Sequence, residues 1–118
     1  MTAAKAKPQT ALSFDVEEWF HASVIEKYVP RSTWDSQPSR LESQMETLMY
    51  LMASMDIKAT FFCLGIVAKS HGSILRQLVA SGHEVASHGM SHKNLYDLSR
   101  SDLHLEIVDS KKMLEDCI

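Results

Sequence analysis

The chain has 118 residues, 45% of them hydrophobic, and a formal net charge of −3, which suits one globular domain with its own core. A weakly acidic chain without a run of lysine and arginine along one face argues against nucleic acid as the main partner. No apolar stretch approaches the roughly 18 to 20 residues of a membrane span, and the polar N-terminus has no secretory signal. We therefore expect a cytoplasmic protein.

The first predicted strand follows a polar tail, residues 1–10, which we expect to be flexible. Residues 11–16 have the apolar character of a buried parallel strand. The strand ends in acid, with Asp15 near its end and Glu17 just beyond it. If the backbone stays extended, Glu17 points to the same side as Asp15, and Glu18 points to the other side.

Residues 17–37 show no clean hydrophobic period but are rich in aromatic side chains. A loop of this length either has a functional role or packs its own aromatic side chains over the end of the domain. In the first case His21 and Trp19 line a substrate groove. In the second case His21 has an ordinary structural role in the loop.

A helix is predicted to begin at residues 38–42, where Ser39 and Glu42 have the spacing of a capping box. It is predicted to end near Asp56. Apolar residues recur along it at helical spacing, at Leu41, Met45, Leu48, Met49, Met52 and Met55. This methionine stripe is interpreted as core packing rather than as a copper or cofactor site.

Residues 57–65 give the strongest strand signal, a nearly continuous run of apolar and β-favouring residues typical of a strand buried on both faces. A short helix is predicted after Gly72 and Ser73, because apolar residues recur at helical spacing over residues 74–79. Gly82 is the expected C-terminal cap of this helix.

Residues 83–87 are predicted to form a third short strand, followed by a loop at residues 88–95. The last helix is predicted to begin after Ser99, which has capping-box spacing with Asp102. One apolar face continues along this helix, at Leu103, Ile107, Leu114 and Ile118.

Strands and helices alternate along residues 11–118, which form one predicted domain. This order predicts an α/β fold with right-handed crossovers and parallel strands. In such folds ligands bind at the carboxyl ends of the strands. Asp15 and His88 each lie at the carboxyl end of a predicted strand, so we expect them at the same edge of the sheet.

His88 and His92 are four residues apart in the loop after the third strand, so both imidazoles can reach one metal ion. Imidazole together with carboxylate suits zinc and related divalent ions. Two histidines four residues apart can also be ordinary exposed loop residues. The acidic end of the first strand, expected at the same edge of the sheet, is what favours a metal centre. Glu17 is then the candidate third ligand, and Asp15 is either a general base or a local cap.

The other histidines and the cysteines are assigned structural positions. His71 and His104 are expected on helix surfaces, and His83 at a strand edge. Cys63 and Cys117 form no Cys-x-x-Cys motif, so free thiols in a reducing cytosol are the simpler interpretation. The sequence contains neither a Gly-rich phosphate loop nor a Gly-x-Ser-x-Gly elbow.

Three segments, residues 13–21, 58–65 and 82–92, resemble the motifs of the polysaccharide deacetylase family. This is the chitooligosaccharide deacetylase (NodB) homology domain of carbohydrate esterase family four. The Asp-Val-Glu-Glu-Trp-Phe-His form of the first motif is most similar to the branch associated with exosortase and exopolysaccharide systems. The resemblance runs from about residue 11 to the end of the chain, and it implies the N-terminal portion of a distorted (β/α) barrel.

By this resemblance, Asp15 is the catalytic base, and His88 and His92 are the two metal-binding histidines. The usual first motif has two adjacent aspartates, the second of which binds metal. Val16 occupies that place here, so Glu17 is the candidate ligand. The implied activity is hydrolysis of N-acetyl groups from an acetylated polysaccharide or oligosaccharide, with zinc as the expected metal. Because the first motif is a variant, the resemblance also allows a non-sugar cyclic amide as the substrate, as in allantoinase-like relatives.

A barrel of this kind usually needs roughly 200 to 250 residues, so the resemblance implies a part of a longer protein or a truncated product. The family's arginine-containing groove wall and its general-acid histidine have no counterpart in these 118 residues. The alternative hypothesis is therefore a catalytically inactive half-domain that at most binds metal. An open sheet edge would favour self-association or pairing with a missing C-terminal half.

Overall fold

The computed structural model describes residues 4–118 and contains a three-stranded parallel sheet with a helix following each strand. In chain order the elements are β1 (Ser13–Val16), α1 (Leu41–Ser54), β2 (Thr60–Cys63), α2 (Gly65–Ala80), β3 (Glu84–Ser87) and α3 (Arg100–Cys117). The strand order is β1-β2-β3, and both neighbouring pairs are parallel. The predicted α/β class, with parallel strands alternating with helices, is confirmed, although each strand is shorter than predicted.

The core packs against one face of the sheet. Val16 pairs with Cys63 and Cys63 with Ser87, so these three share a face with Phe61, two residues before Cys63. Phe61 and Cys63 are fully buried. Asp15 has the opposite parity and belongs to the other face. The rest of the core consists of Leu41, Met45, Met52, Ala59, Leu64, Val67, Ala68, Ile74, Leu75, Leu78 and Leu114.

The predicted capping box at the start of α1 is wrong. α1 begins at Leu41, and its N-cap residue Arg40 makes no side-chain cap. Ser39 instead donates its hydroxyl hydrogen bond to Glu18, a buried carboxylate that also accepts from the backbone N of Arg40 at 3.2 Å. An acceptor from a distant part of the chain therefore serves this helix N-terminus, and local spacing does not reveal it.

The apolar stripe of α1 packs against the core as predicted, except at its end. Its buried or half-buried members are Leu41, Met45, Leu48, Met49 and Met52. α1 ends at Ser54, two residues before the predicted end at Asp56, and Met55 beyond it is 50% exposed. Asp56 has a positive φ of 51°, which takes the chain out of helical geometry.

α2 begins at Gly65 rather than after Gly72, so the prediction missed its first part. The chain turns directly from strand to helix because the backbone N–H groups of Gly65 and Ile66 donate to carbonyls of the loop after β3, at 2.9 and 3.0 Å. The helix bends at His71, whose backbone (φ −131°, ψ 37°) is not helical. Only the segment after this bend corresponds to the predicted helix.

The start of α3 is as predicted. The Ser99 hydroxyl accepts from the backbone N of Asp102 at 3.1 Å and lies 2.7 Å from the Asp102 carboxylate. A 3-10 turn, Leu95–Asp97, precedes the helix. Its N-cap residue Asn94 accepts from the backbone N of Tyr96 at 3.2 Å, so successive side-chain caps guide the chain from the loop into α3.

The predicted apolar face of α3 is wrong in part. Leu114 is buried as expected, but Ile107 and Ile118 are 58% and 54% exposed. Two polar residues of α3, Glu106 and Ser110, instead bond to the end of β3 and the loop after it. Ser110 is fully buried, so an apolar pattern alone cannot identify the inward side of this helix.

His83 directly precedes β3, an edge strand of the sheet, as predicted, but its side chain is buried there. Its side chain is 7% exposed, its Nδ1 accepts from the backbone N of Ala59 at 3.2 Å, and its ring packs edge-on against Phe61. Burial lowers the pKa of His83, and the nearby Lys58 ammonium lowers it further. His104 is exposed, as predicted.

Both cysteines are free thiols, as predicted. Cys63 is fully buried, and burial raises the pKa of its thiol to about 12, so it remains protonated and unreactive near neutral pH. Cys117 is half-buried, and its sulfur donates to the carbonyl of Ala68 at 3.3 Å.

The segments outside the sheet and helices are irregular, as expected. The aromatic loop, residues 17–37, contains three short 3-10 turns, Trp19–His21, Ser23–Ile25 and Arg31–Ser36. In the predicted tail, residues 4–10 are exposed without regular structure, and residues 1–3 lie outside the described residues. Within the described part of the chain, no helix is both long enough and apolar enough to cross a membrane.

Candidate metal centre

At the end of β1, neighbouring acidic side chains lie in different surroundings. Val16, the last residue of β1, is buried and anchors the strand end in the core. Asp15 and Glu17, on either side of it, have side chains that are 56% and 25% exposed. Both lie near residues 88–92, the loop after β3 that carries the two candidate histidine ligands and that we call the histidine loop. Glu18 instead turns toward the start of α1, where its carboxylate is 6% exposed. Asp15 and Glu17 therefore share one environment, and Glu18 has another.

The two histidines come from the loop after β3. The backbone N of His88 donates to the carbonyl of Cys63 at 2.9 Å, which extends the parallel ladder by one residue. Gly89 (φ 84°) and His92 (φ 59°) both have left-handed backbone, and the loop folds back on itself. This conformation is easy for glycine but costs a residue with a Cβ about 1–2 kcal/mol, so contacts around the loop must hold His92 in place.

These elements bring three potential ligands together. The Oε2 atom of Glu17 lies 3.1 Å from His92 Nε2 and 3.7 Å from His88 Nε2. One ligand atom from each residue lies within 4.8 Å of the other two. Asp15 Oδ2 is 3.9 Å from His88 Nε2, so Asp15 sits beside the trio. Three residues singled out from the sequence as ligands, and the one singled out as base, are thus neighbours.

The donor atoms of this cluster fit a divalent cation. Among the described residues, Glu17 Oε2 and His88 Nε2 are buried side-chain atoms without a hydrogen-bond partner. Leaving such atoms unsatisfied costs about 1–3 kcal/mol each. Ligands that each lie about 2.0–2.2 Å from a zinc ion are separated by roughly the distances seen here. A cation between one carboxylate and two imidazoles would satisfy both atoms.

The two proposed substrate contacts, His21 and Trp19, differ in exposure. His21 is 5% exposed, its Nδ1 accepts from the backbone N of Glu18 at 3.0 Å, and its ring lies 4.6 Å from that of Trp34. Burial lowers the pKa of His21 to about 4, with the Glu18 carboxylate opposing that shift, so its imidazole is neutral. Trp19 is 36% exposed, and its indole donates to the carbonyl of Pro38 at 3.0 Å.

His71, predicted on a helix surface, is instead half-buried at the bend of α2. Its Nε2 lies 3.3 Å from the Ser39 hydroxyl and 3.8 Å from a Glu18 carboxylate oxygen. Together with His21 and Trp34, these residues line a cavity of about 330 Å³. His21 is therefore among the residues that a ligand in this cavity would contact.

A larger open cleft of about 920 Å³ borders both histidines. Arg31 from the aromatic loop and Glu106 from α3 also line it, and both hydrogen-bond the histidine loop. Neither residue was singled out from the sequence. Arg31 lies in a segment without periodicity, and the one signal for Glu106 is its helical spacing from Leu103 and Ser110.

The fold is an α/β domain in which parallel strands alternate with helices. One carboxylate and two imidazoles at the carboxyl ends of the strands form its candidate metal centre. The sequence model of a family described as polysaccharide deacetylase matches residues 25–118. The chain therefore belongs to the polysaccharide deacetylase family, as its motifs predicted. Asp15 and Glu17 lie before the matched residues, so their roles depend on the geometry.

Curated relatives support this assignment. The chain is 34% identical over 64 residues to a chitooligosaccharide deacetylase of Sinorhizobium fredii, and 36% identical over 67 residues to a peptidoglycan-N-acetylglucosamine deacetylase of Bacillus cereus. The matches cover 54% and 55% of this chain and 30% of each relative. The chain thus matches less than one third of the length of these relatives.

Solved structures of the family share the fold. A peptidoglycan deacetylase from Bacillus subtilis aligns with a TM-score of 0.67 at 22% identity, over 91% of this chain and 42% of that chain. A family 4 carbohydrate esterase from Streptomyces lividans, in complex with acetate, aligns with a TM-score of 0.66 at 20% identity, over 91% and 44%. The predicted polysaccharide deacetylase type of fold is confirmed.

Proposed function

We propose that this protein is a metal-dependent deacetylase that hydrolyses N-acetyl groups of a polysaccharide, in exopolysaccharide metabolism. The observation that carries the proposal is the convergence of Glu17, His88 and His92 beside Asp15, at the carboxyl ends of parallel strands. The matched relatives, a chitooligosaccharide deacetylase and a peptidoglycan-N-acetylglucosamine deacetylase by name, support an acetylated amino sugar as the substrate class.

In this proposal Glu17, His88 and His92 hold the ion. The mixed carboxylate and imidazole set favours zinc. When bound, such an ion would supply Lewis acidity, which lowers the pKa of a coordinated water to about 7 and polarises a carbonyl oxygen. The loop after β3 and the end of β1 contribute the three side chains without a change of backbone, because their donor atoms are already close together.

Asp15 acts as the general base. Its Oδ2 lies 3.9 Å from His88 Nε2 and its side chain is 56% exposed, so it is adjacent to the donor set and open to solvent. From this position the carboxylate takes the proton of the water that attacks the acetyl carbonyl carbon. Without this transfer, hydrolysis should slow while the ion remains bound. As the C–N bond breaks, the amine nitrogen takes up a proton, so that acetate and the free amino sugar leave. The family's general-acid histidine, which would supply this proton, has no counterpart in these 118 residues.

The substrate enters from the open cleft beside the histidines, whose volume of about 920 Å³ lies at the upper end of the range for ligand pockets. Trp19, which is 36% exposed, and His21, which lines the smaller cavity of about 330 Å³ rather than this cleft, remain proposed sugar contacts. We place the protein in the cytosol, where the free thiols of Cys63 and Cys117 would remain reduced.

Acetate release from N-acetylated chitooligosaccharides, with Zn²⁺ supplied, tests the proposal. Asp15→Asn should lower kcat by about 10²–10⁴-fold with bound zinc unchanged, and His88→Ala should lose both zinc and turnover. An unchanged rate in Asp15→Asn would overturn the assignment of the base. Zinc binding without acetate release would favour an inactive metal-binding half-domain, and release of product only from small cyclic amides would move the substrate outside the sugars.

A further inference from the structure

The loop that carries both histidines, residues 88–92, has little internal support. Two of its residues, Gly89 and His92, have left-handed backbone. Part of its support comes from the N-terminus of α2, where Gly65 and Ile66 donate to the carbonyls of Gly89 and Met90 at 2.9 and 3.0 Å. These bonds fix the first half of the loop and leave the second half, which leads to His92, to other contacts.

Glu106 of α3 holds the middle of this loop. Its Oε1 accepts from the backbone N of Met90 at 3.0 Å and from the backbone N of Ser91 at 2.7 Å. The Ser91 hydroxyl also bonds to both carboxylate oxygens, at 3.0 and 3.2 Å. A carboxylate that accepts from two consecutive N–H groups forms charge-assisted bonds, which are stronger than neutral ones.

Arg31 holds the loop from the other side. Its guanidinium donates to the carbonyls of Ser91 and His92, the latter at 3.0 Å. The Arg31 side chain is itself fixed, because it bonds to Glu26 at 3.0 Å and lies over the ring of Trp34 at 4.6 Å. An anion thus faces the N–H groups of the loop, and a cation faces its carbonyl groups.

We propose that Glu106 and Arg31 are positioning residues, which clamp the loop between them and so place His88 and His92 for the metal. The inference rests on the proposed function, since it concerns the same metal site. The clamp opposes relaxation of His92 from its unfavourable left-handed backbone, because Glu106 and Arg31 each bond to the backbone of its neighbour Ser91 and Arg31 also bonds to the carbonyl of His92 itself.

The test is the zinc affinity of the full chain, measured by competition with a chromophoric chelator. Glu106→Ala and Arg31→Met should each weaken zinc binding by about tenfold or more, the size of effect typical of residues that orient metal ligands. Glu106→Gln should retain near wild-type affinity, because the amide oxygen can still accept from both N–H groups. The visible absorption of bound Co²⁺ should change in the two disruptive variants and not in Glu106→Gln.

Matched controls come from the same chain. Glu115→Ala removes an exposed acid from α3, and Arg76→Met removes an arginine that donates to the carbonyl of Cys117 at 3.1 Å. Both should bind zinc like the wild type. If Glu106→Ala fails to fold by circular dichroism, Glu106→Asp replaces it, because the shorter side chain withdraws the carboxylate from the loop and should also weaken binding.

The outcomes separate the two proposals. If zinc binds the wild type and His88→Ala abolishes binding, but Glu106→Ala and Arg31→Met bind normally, the clamp is overturned and the metal site stands. A wild-type chain that binds no zinc overturns the metal site, and the clamp with it. Weakened binding in Glu106→Ala that Glu106→Gln does not share supports the clamp.

Discussion

The carboxylate of Glu17 lies 3.1 Å from the imidazole Nε2 of His92, although one residue follows β1 and the other ends a loop after β3. Parallel pairing of β1 and β3 with β2 brings both strand ends to the same edge of the sheet. The Glu17–His92 distance therefore depends on the same strand pairing that assembles the proposed metal site.

Glu17→Gln should weaken zinc binding by at least about tenfold, since a neutral amide oxygen replaces a charged ligand. Isothermal titration with Zn²⁺ would measure the change. Glu18→Gln is the matched control, because Glu18 is adjacent but faces the start of α1. It should lower the stability of the fold and leave zinc affinity unchanged. Equal zinc affinity in Glu17→Gln and the wild type would contradict the assignment of Glu17 as a ligand.

Stability should fall as the pH drops from about 6.5 toward 4, in part because of His21. Burial lowers the pKa of this side chain from 6.5 to about 4, so between these values the unfolded chain binds a proton that the folded chain does not. The contribution of neutral His21 to the free energy of unfolding is fully present above pH 6.5 and is lost as the pH falls toward 4. His83, whose pKa is also lowered by burial, contributes in the same direction.

His21→Asn should flatten this pH dependence, because the amide oxygen can accept the Glu18 N–H bond without titrating. Urea unfolding between pH 7 and pH 5, in the presence of a chelator, would measure the slope. His104→Asn, at an exposed position, should leave the slope unchanged. A slope that is the same in His21→Asn and the wild type would show that His21 is not the titrating group.

Gly65→Ala should destabilise the fold by about 1–3 kcal/mol, the usual cost of overpacking. A Cβ at Gly65 would clash with the Met90 sulfur and come within 3.3 Å of the Met90 Cα, so the histidine loop must shift. Zinc affinity should fall with stability. At Gly72 a Cβ would meet the Arg76 guanidinium at 3.3 Å and the Cys117 side chain at 3.4 Å rather than the histidine loop, so Gly72→Ala should not weaken zinc binding. Thermal unfolding with and without Zn²⁺ distinguishes the two variants.

Ser110→Ala should cost about 0.5–1.5 kcal/mol, the usual net value of a hydrogen bond. The Ser110 hydroxyl is fully buried and lies 2.7 Å from that of Ser87, which in turn accepts from the backbone N of Gly89 at 3.1 Å. Denaturant unfolding would measure the loss, with the exposed Ser73→Ala as control. Equal stability of Ser110→Ala and the wild type would mean that this link between α3 and the loop contributes nothing.

Much of the fold follows from local patterns. The apolar run at β2, the spacing of the α1 stripe and the Ser99 cap each depend on residues close in sequence. The start of α2 does not, because Gly65 begins a helix only where the histidine loop accepts its N–H bond. The inward side of α3 was misassigned because Glu106 and Ser110 bond to the strand end and its loop.

The sequence by itself determined the alternation of strands and helices, the family, and the residue types of the candidate metal centre, because periodicity and motif spacing are local properties. Extended-strand parity already favoured Glu17 over Glu18 as the third ligand. Only the tertiary structure decided that Glu17 lies 3.1 Å from His92 and that Glu18 bonds to the start of α1, since both depend on strand pairing and on how the chain turns after the buried Val16. Only the tertiary structure revealed the clamp of Glu106 and Arg31, because hydrogen bonds to backbone groups of a distant loop leave no pattern in the sequence.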